Sequence, residues 1–400
     1  MIDDFDLNQL VEPLLHWFWQ CKRSLPWRDE PTPYHVWVSE IMLQQTRVEA
    51  VKPYYERFMK ELPDVAALAG CPEEKLLKLW EGLGYYNRVR NLNAAAIQVM
   101  EEFAGVIPDD YDTLLNLKGI GHYTAGAIAS IAYQKPVPAV DGNVLRVISR
   151  VTADDADIMK QPVRSHMEEC LAELLTGWQG KNKMQGMFRP GDFNQALMEL
   201  GAIVCVPNGA PYCDKCPWNQ LCEARRRGLI DKLPVKQKAK ARKQVDLTVL
   251  IVRDGEKVAI HKRTQKGLLA GMYELPNLAG HWTPDEVLAY LKKSGYAPLR
   301  IQALEDAKHI FSHVEWNMKA YAVLIEEAES QTESKRGTEN DSEKKSSSRQ
   351  ENAIGNDWIF IDSEDAGKRY AIPAAFSYYT KYMEWKLGRE SFLQEHIEEH

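Results

Sequence analysis

Apolar side chains recur at every third and fourth position from about residue 7 to residue 230, a spacing that predicts helix after helix. The clearest stripes run from Val36 to Phe58, Leu76 to Trp80, Asn91 to Phe103, Tyr123 to Tyr133 and Val144 to Val151, with Pro63, Pro72, Pro108 and Pro162 as starts or breaks. Past residue 244 the period drops to two. Val245 to Val252 and Lys257 to Lys262 alternate around Asp254-Gly255, a hairpin signal, and Trp316 to Ile325 and Trp358 to Ile361 also read as strands. Trp282 to Lys293 is helical in pattern. The expectation is a multi-domain chain: an all-α domain over 1–230, a basic linker over 231–244, and an α+β domain over 245–400. Within the last, Glu326 to Asn356 is nearly all Glu, Ser, Lys, Thr, Asn and Gly. It cannot bury enough apolar surface to offset its ordering entropy, so a disordered loop is expected over 326–356.

Two features in the helical half suggest chemistry. Leu117-Lys118-Gly119-Ile120-Gly121-His122-Tyr123-Thr124 reads as helix, tight Gly-x-Gly turn, and a new helix. Backbone N–H groups left free at such a turn attract an anion, and Gly119 and Gly121 let a bulky partner such as a DNA phosphate approach. About twenty residues later, Val140-Asp141-Gly142-Asn143 places a carboxylate where it could face the group attached to that phosphate. Each has a plainer reading: helix–turn–helix packing for the first, and for Asp141 a helix N-cap contributing roughly 1 kcal/mol.

The cysteines add an independent signal. Seven is an odd number, which fits a reducing compartment better than a disulfide framework. Cys205, Cys213, Cys216 and Cys222 form a C-x7-C-x2-C-x5-C array with no histidine inside it, fitting an iron–sulfur cluster or a structural zinc. Cys21, Cys71 and Cys170 are scattered and expected to pack as small apolar groups. The acidic N-terminus and the lack of any membrane-length apolar run predict a soluble cytoplasmic protein. Charge says less. Residues 1–244 carry 30 Lys and Arg against 31 Asp and Glu, a net of −1, and residues 245–400 carry 20 against 26, a net of −6. The tract Arg225-Arg226-Arg227 with Lys232, Lys236, Lys238, Lys240, Arg242 and Lys243 is either a solvated linker or a DNA-contacting patch.

Glu40 lies in Val36-Trp37-Val38-Ser39-Glu40-Ile41-Met42-Leu43-Gln44-Gln45-Thr46, where its helical neighbours are Val36, Trp37, Leu43 and Gln44. A carboxyl on such a face loses solvation, its pKa rises, and it becomes able to act as a general acid near neutral pH. The alternative is a Glu at the edge of a core face, satisfied by Arg88 or Arg90.

Taken together, these motifs resemble those of adenine-specific mismatch DNA glycosylases (MutY-type) of the helix-hairpin-helix superfamily. The resemblance spans nearly the whole chain. It rests on Leu25-Pro26-Trp27-Arg28, Trp37 to Thr46, Glu81-Gly82-Leu83-Gly84-Tyr85-Tyr86, the hairpin, Ala139 to Asn143, the cysteine array, and Gly267-Leu268-Leu269 with Phe311-Ser312-His313. It implies a monomeric 4Fe–4S enzyme, Cys205, Cys213, Cys216 and Cys222 holding the cluster, that acts on double-stranded DNA and removes adenine opposite 8-oxoguanine or G. Carried over by position, Glu40 protonates the flipped adenine and Asp141 stabilises the oxocarbenium-like sugar or its covalent adduct, with Tyr123 and Asn143 lining the site. Arg23, Trp27, Arg28 and Gln195 become pocket residues. Gln45, Thr46 and Tyr85 meet the opened duplex, and Gly119, Gly121 and His122 hold its backbone. The division between an acid on the leaving base and a carboxylate at the sugar is that of glycoside cleavage.

The similar endonuclease III relatives, which cut the strand through a Schiff base, carry a Lys one residue after the position of His122. Tyr123 stands there, so a monofunctional glycosylase is expected. The C-terminal half resembles a Nudix-like domain, but the Arg-Glu-x-x-Glu-Glu run that holds Mg²⁺ in Nudix hydrolases is missing, the following helix reading Pro284-Asp285-Glu286-Val287-Leu288-Ala289-Tyr290. The resemblance therefore implies that this domain binds rather than cleaves, with Phe311, Ser312 and His313 at the 8-oxoguanine. Two other readings stand beside it: a superfamily member that takes mismatched thymine, against which the Nudix-like half argues, and a non-catalytic lesion-binding protein. Four departures from the family pattern are visible. The first cysteine interval is seven residues where six is usual, Gly177 to Pro190 and Glu326 to Asn356 look inserted, and His122 replaces the common Pro.

Overall fold

Why each half folds as it does can be followed in the computed structural model, which describes residues 2–179, 188–237, 241–264, 267–326 and 357–383. The expected disordered loop, Glu326 apart, lies outside these residues, as does most of the Gly177–Pro190 stretch. Two compact units are present: Met1–Leu79 with Tyr86–Ala239, and Trp80–Tyr85 with Lys240–His400. No described helix is long and apolar enough to cross a membrane.

The first unit is built around the Gly142–Thr152 helix, buried from Val144 to Thr152 on every face. Leu145, Ile148 and Val151 share a core with Leu14 and Phe18 of the Val11–Cys21 helix and with Leu10 just before it, and Leu171, Leu197 and Trp218 close the cluster. Each fully buried Leu, Val or Phe contributes roughly 1.5–3 kcal/mol, so the capped end of this helix is firmly placed. The stripe read as continuous from Val36 to Phe58 is two helices, Pro33–Leu43 and Val48–Glu61. The break has a local cause: the Arg88 guanidinium donates to the carbonyls of Ile41, Met42 and Gln44, capping the first helix, and Gln45 takes φ +58°. The span from Tyr123 to Tyr133 likewise divides, into the His122–Ala127 helix and a π-helical turn, Ile128–Ala132.

The second unit has one seven-stranded sheet: β1 (Lys243–Asp254), β2 (Lys257–Lys262), β3 (Tyr273–Glu274), β4 (Asn277–Ala279), β5 (Pro298–Ile310), β6 (Val314–Ile325) and β7 (Trp358–Asp362), with main order β3-β2-β1-β6-β5. β1 and β2 form the expected hairpin at Asp254-Gly255, and β1 runs parallel to β6, Val249 opposite Ala320. The alternation read along β1 is in fact burial on both faces. Val249 and Ile251 enter one core, Leu250 and Val252 the other, and buried Thr248 is satisfied by the Gly280 carbonyl and the Trp282 N–H. β5 was not read in the sequence: Ile301 meets one core and Leu304 and Ala307 the other, and register shifts interrupt its period. The Pro284–Lys293 helix starts at a Thr283–Glu286 capping box.

Candidate active site and cysteine loop

One cavity of 620 Å³ in the first unit collects Glu40, Tyr123, Asp141 and Asn143 with Arg23, Trp27, Arg28, Gln45, Thr46 and Gln195. Four sequence-distant segments supply them, and each is held for a local reason. Glu40 sits on the last full turn of its helix, 6% exposed, and accepts a short hydrogen bond from the Tyr123 hydroxyl. Burial pushes its carboxyl up to about 7, the negative charge of Asp141 adds to that, and the Tyr123 donor and Arg28 oppose it. The cations offered by sequence as its partners are occupied otherwise: Arg88 caps the helix end and Arg90 pairs with Glu73. Tyr123 stays a neutral hydroxyl, its own pKa driven well up by burial.

Asp141 is the N-cap of the central helix, accepting from the N–H groups of Asn143 and Val144 at 2.8 Å each, and from Asn143 Nδ2 at 2.7 Å. The plainer reading of this residue therefore holds, and the same carboxylate also faces the cavity. Burial raises its carboxyl above the usual range, while the three N–H donors and Arg146 pull the other way. Of the two cavity carboxyls, the one with N–H donors and a helix N-terminus is the better holder of negative charge, and Glu40 the better holder of the proton.

The segment ahead of Asp141 is pinned twice. A Cβ on Gly126 would lie 2.1 Å from the Pro138 carbonyl oxygen, so only glycine lets that chain cross the helix there. Buried Asn194 accepts from Ala139 N and donates to Val137 O and Ser130 Oγ. The opposite wall is a buried charge cluster: Glu199, 1% exposed, accepts from Arg23 backbone and side chain and from Arg28, and Arg28 Nε donates to Gln195. Those cations hold the Glu199 carboxyl down at about 2 against burial, which works to raise it. Glu199 and Asn194 were missed in the sequence. Their only signal was polarity at helical core positions.

The hairpin residues Gly119, Gly121 and His122 stand outside this cavity. Gly119 needs its glycine, at φ +77° with Asn91 Cβ 2.6 Å from where a Cβ would be. Gly121 is extended, N-caps the next helix and has open space in front of it, which suits approach by a partner. His122 Nδ1 lies 2.8 Å from the Tyr111 hydroxyl.

The four array cysteines are half-buried around the foot of the central helix. Arg150 Nη1 lies 3.3 Å from Cys205 Sγ, and Arg146 joins the Cys205 carbonyl to Gly201 O and Asn143 Oδ1. Burial pushes the Cys216 thiol up to about 12 and raises Cys222 as well. Trp218, 1% exposed, anchors the loop through a bond to the Leu10 carbonyl. Of the other three, Cys21, the last residue of its helix, is exposed and not packed as expected, and Cys71 and Cys170 are only half-buried. In the basic tract, Arg225 pairs with Asp214, and Arg226 and Arg227 with Glu223.

In the second unit, Phe311–His313 turns from β5 into β6. Phe311 stacks edge-on against Trp316, Arg242 Nε donates to the Phe311 carbonyl, and exposed Ser312 Oγ lies 2.6 Å from the hydroxyl of Tyr85.

Residues 38–173 match the HhH-GPD superfamily of base excision DNA repair proteins and residues 248–381 match the NUDIX domain family. The chain is 35% identical over 390 residues to the adenine DNA glycosylase of Mus musculus, covering 82% of this chain and 73% of that one. It is 31% identical over 380 residues to the adenine DNA glycosylase of Schizosaccharomyces pombe, covering 77% and 80%. Among solved structures, a thermostable thymine-DNA glycosylase aligns with TM-score 0.47 and 27% identity, over 55% of this chain and 96% of that one.

Proposed function

The chain belongs to the adenine DNA glycosylase family, a base-excision-repair enzyme acting on N-glycosyl bonds, and we propose that it excises adenine opposite 8-oxoguanine or guanine with Glu40 as acid and Asp141 as sugar-facing carboxylate. The observation that carries this reading is the pair itself: two carboxyls on one cavity, one buried and held near neutrality, the other dressed with N–H donors. Double-stranded DNA delivers the adenine by flipping, which costs a few kcal/mol and is offset by cavity and backbone contacts. Glu40 gives its proton to the departing adenine as the C1′–N bond breaks, and the Tyr123 hydroxyl keeps that carboxyl oriented. Positive charge grows on the sugar beside Asp141, whose carboxylate is already fixed by its cap bonds and needs no rearrangement. Water then adds at C1′, and its proton returns to a carboxylate. Arg28 and Gln195, locked by Glu199, present fixed donors to the base.

No lysine is among the described residues lining the cavity, which supports a monofunctional enzyme without Schiff-base strand cleavage. The hairpin glycines and His122 are the contacts proposed for the DNA backbone, and Gln45, Thr46 and Tyr85 those for the opened duplex. Phe311, Ser312 and His313 are proposed to face the 8-oxoguanine.

The donor set at the cysteine loop fits a 4Fe–4S cluster. No three of these thiols come within 4.8 Å of one another among the described residues, whereas tetrahedral Zn–S bonds of about 2.3 Å would draw sulfurs to about 3.8 Å. Cys205, Cys213, Cys216 and Cys222 would hold the cluster, which when bound supplies a cross-link through its iron–thiolate bonds. Arg146 and Arg150 place positive charge against the ligating side of the loop.

The test is single-turnover excision on duplexes bearing A opposite 8-oxoguanine or G, with Glu40→Gln and Asp141→Asn alongside. Adenine release by the wild type, lost in both variants, is expected. Binding without excision by the wild type would sink the assignment. Ser312→Ala with His313→Ala should lower the preference for 8-oxoguanine over G and spare excision.

A further inference from the structure

Three side chains of different ligand chemistry meet on the first unit, and none of them lines the catalytic cavity. His166 and Cys170 stand four residues apart on the Gln161–Gln179 helix, so they project from one face a turn apart. The N-terminal turn, Ile2–Asp4, buries Ile2 in the core that this helix also enters and brings Asp3 to the same spot. His166 Nε2 lies 2.7 Å from Asp3 Oδ1 and 3.8 Å from Cys170 Sγ. All three ligand atoms are within 4.8 Å of one another, a grouping that no other trio of His, Cys, Asp or Glu makes among the described residues.

One ring nitrogen therefore faces an oxygen and a sulfur together. A single N–H serves one of them, whereas a cation placed between the three serves all. The other ring nitrogen, Nδ1, looks toward Glu169 Oε2 at 3.9 Å, the side from which a carboxylate orients a metal-bound imidazole. Zinc bonds of about 2.0–2.3 Å set ligand atoms roughly 3.2–3.8 Å apart; the 3.8 Å His166–Cys170 separation meets that range, and the 2.7 Å His166–Asp3 hydrogen bond would open by about 0.5 Å to admit the ion. A mixed N, O and S set suits zinc rather than magnesium or calcium, which take oxygen ligands.

We propose that Asp3, His166 and Cys170 bind a zinc-class divalent cation, with water as the fourth ligand. His166 and Asp3 are each about half exposed, so the ion has a path in and the water a place to stand. The N-terminal turn touches both the Gln161–Gln179 helix and the helix capped by Asp141. The ion thus staples the start of the chain to the Gln161–Gln179 helix, and raises the stability of the packing that both make with the helix capped by Asp141.

The test uses the full chain as isolated, incubated with zinc and desalted, beside His166→Ala and Cys170→Ser. Metal content, zinc-edge X-ray absorption and melting temperature are measured for each. Stoichiometric zinc in the wild type, with a shell of a single sulfur and otherwise nitrogen and oxygen, is expected, together with a zinc-dependent rise in melting temperature. Both should be lost in the variants. Zinc retained equally by the variants would overturn the proposal. So would an all-sulfur shell, which would put the ion at Cys205, Cys213, Cys216 and Cys222, and so would no retention at all.

Discussion

Glu40→Gln should stabilise the free protein, and by more in alkaline than in acidic solution, while abolishing excision. Burial holds the Glu40 carboxyl at about 7 in the folded chain, and unfolding returns it to the ordinary carboxylate range near ~4.3. A carboxyl raised on folding contributes its stabilising term in full below the unfolded value, and that term is lost as pH climbs through the folded one. The gap is about 2.7 units, and at about 1.4 kcal/mol per unit the wild type loses about 4 kcal/mol across roughly pH 4.3 to 7. Glutamine has no proton to lose, keeps the shape, and offers Tyr123 an amide oxygen in place of the carboxylate. The difference in unfolding free energy between variant and wild type should therefore widen across that window. Urea denaturation at about pH 5 and about pH 8, with equal slopes in the two proteins, reads it directly. A difference that stays flat with pH, or narrows as pH rises, would refute the burial argument. It would also remove the reason for calling Glu40 an acid.

Tyr123→Phe removes the donor that opposes the rise of Glu40. The descending limb of excision kcat/KM against pH should then move up, by about one unit for a charge-assisted bond of ~1.5 kcal/mol, and a downward move would count against the contact. Asp141→Asn should leave stability within about 1 kcal/mol, because asparagine caps a helix as well as aspartate, while excision disappears; calorimetry and single-turnover kinetics separate the two. Glu199→Ala strands Arg23 and Arg28 on the cavity wall and should cost about 3–5 kcal/mol. Because the Glu199 carboxyl is held at about 2, its contribution is present above the ordinary carboxylate value and drains as pH falls toward 2, so the destabilisation should shrink in acid.

Much of the candidate site was legible because its residues sit in short motifs whose chemistry is local. Asp141 announces a cap by preceding Gly142-Asn143, and Glu40 is marked out by sharing a helix face with Val36, Trp37 and Leu43. Arg146, Asn194 and Glu199 were silent for the opposite reason. Each is a polar residue on a helix whose partners lie tens of residues away, so no spacing along the chain distinguishes it from a surface position. The break at Gln44–Arg47 was hidden as well, because its cause, Arg88, arrives from another helix. β5 escaped because a register shift between Leu304 and Ala307 breaks its short apolar alternation.

The sequence by itself determined that the chain has a helical half and a strand-bearing half, which residue types could act as acid, carboxylate and thiolate, and where the glycine turns at Gly119–Gly121 and Asp254-Gly255 fall. These follow from side-chain period and from φ preference, which are properties of neighbouring residues. Only the tertiary structure decided that Glu40 is deprived of water, that Tyr123 rather than an arginine answers it, and that Glu199 locks the facing wall. A pKa is set by what surrounds a group in three dimensions, and a buried charge is stable only if distant segments bring it partners. The meeting of Asp3 with His166 and Cys170 is of the same kind, since 163 residues separate the aspartate from the histidine it touches.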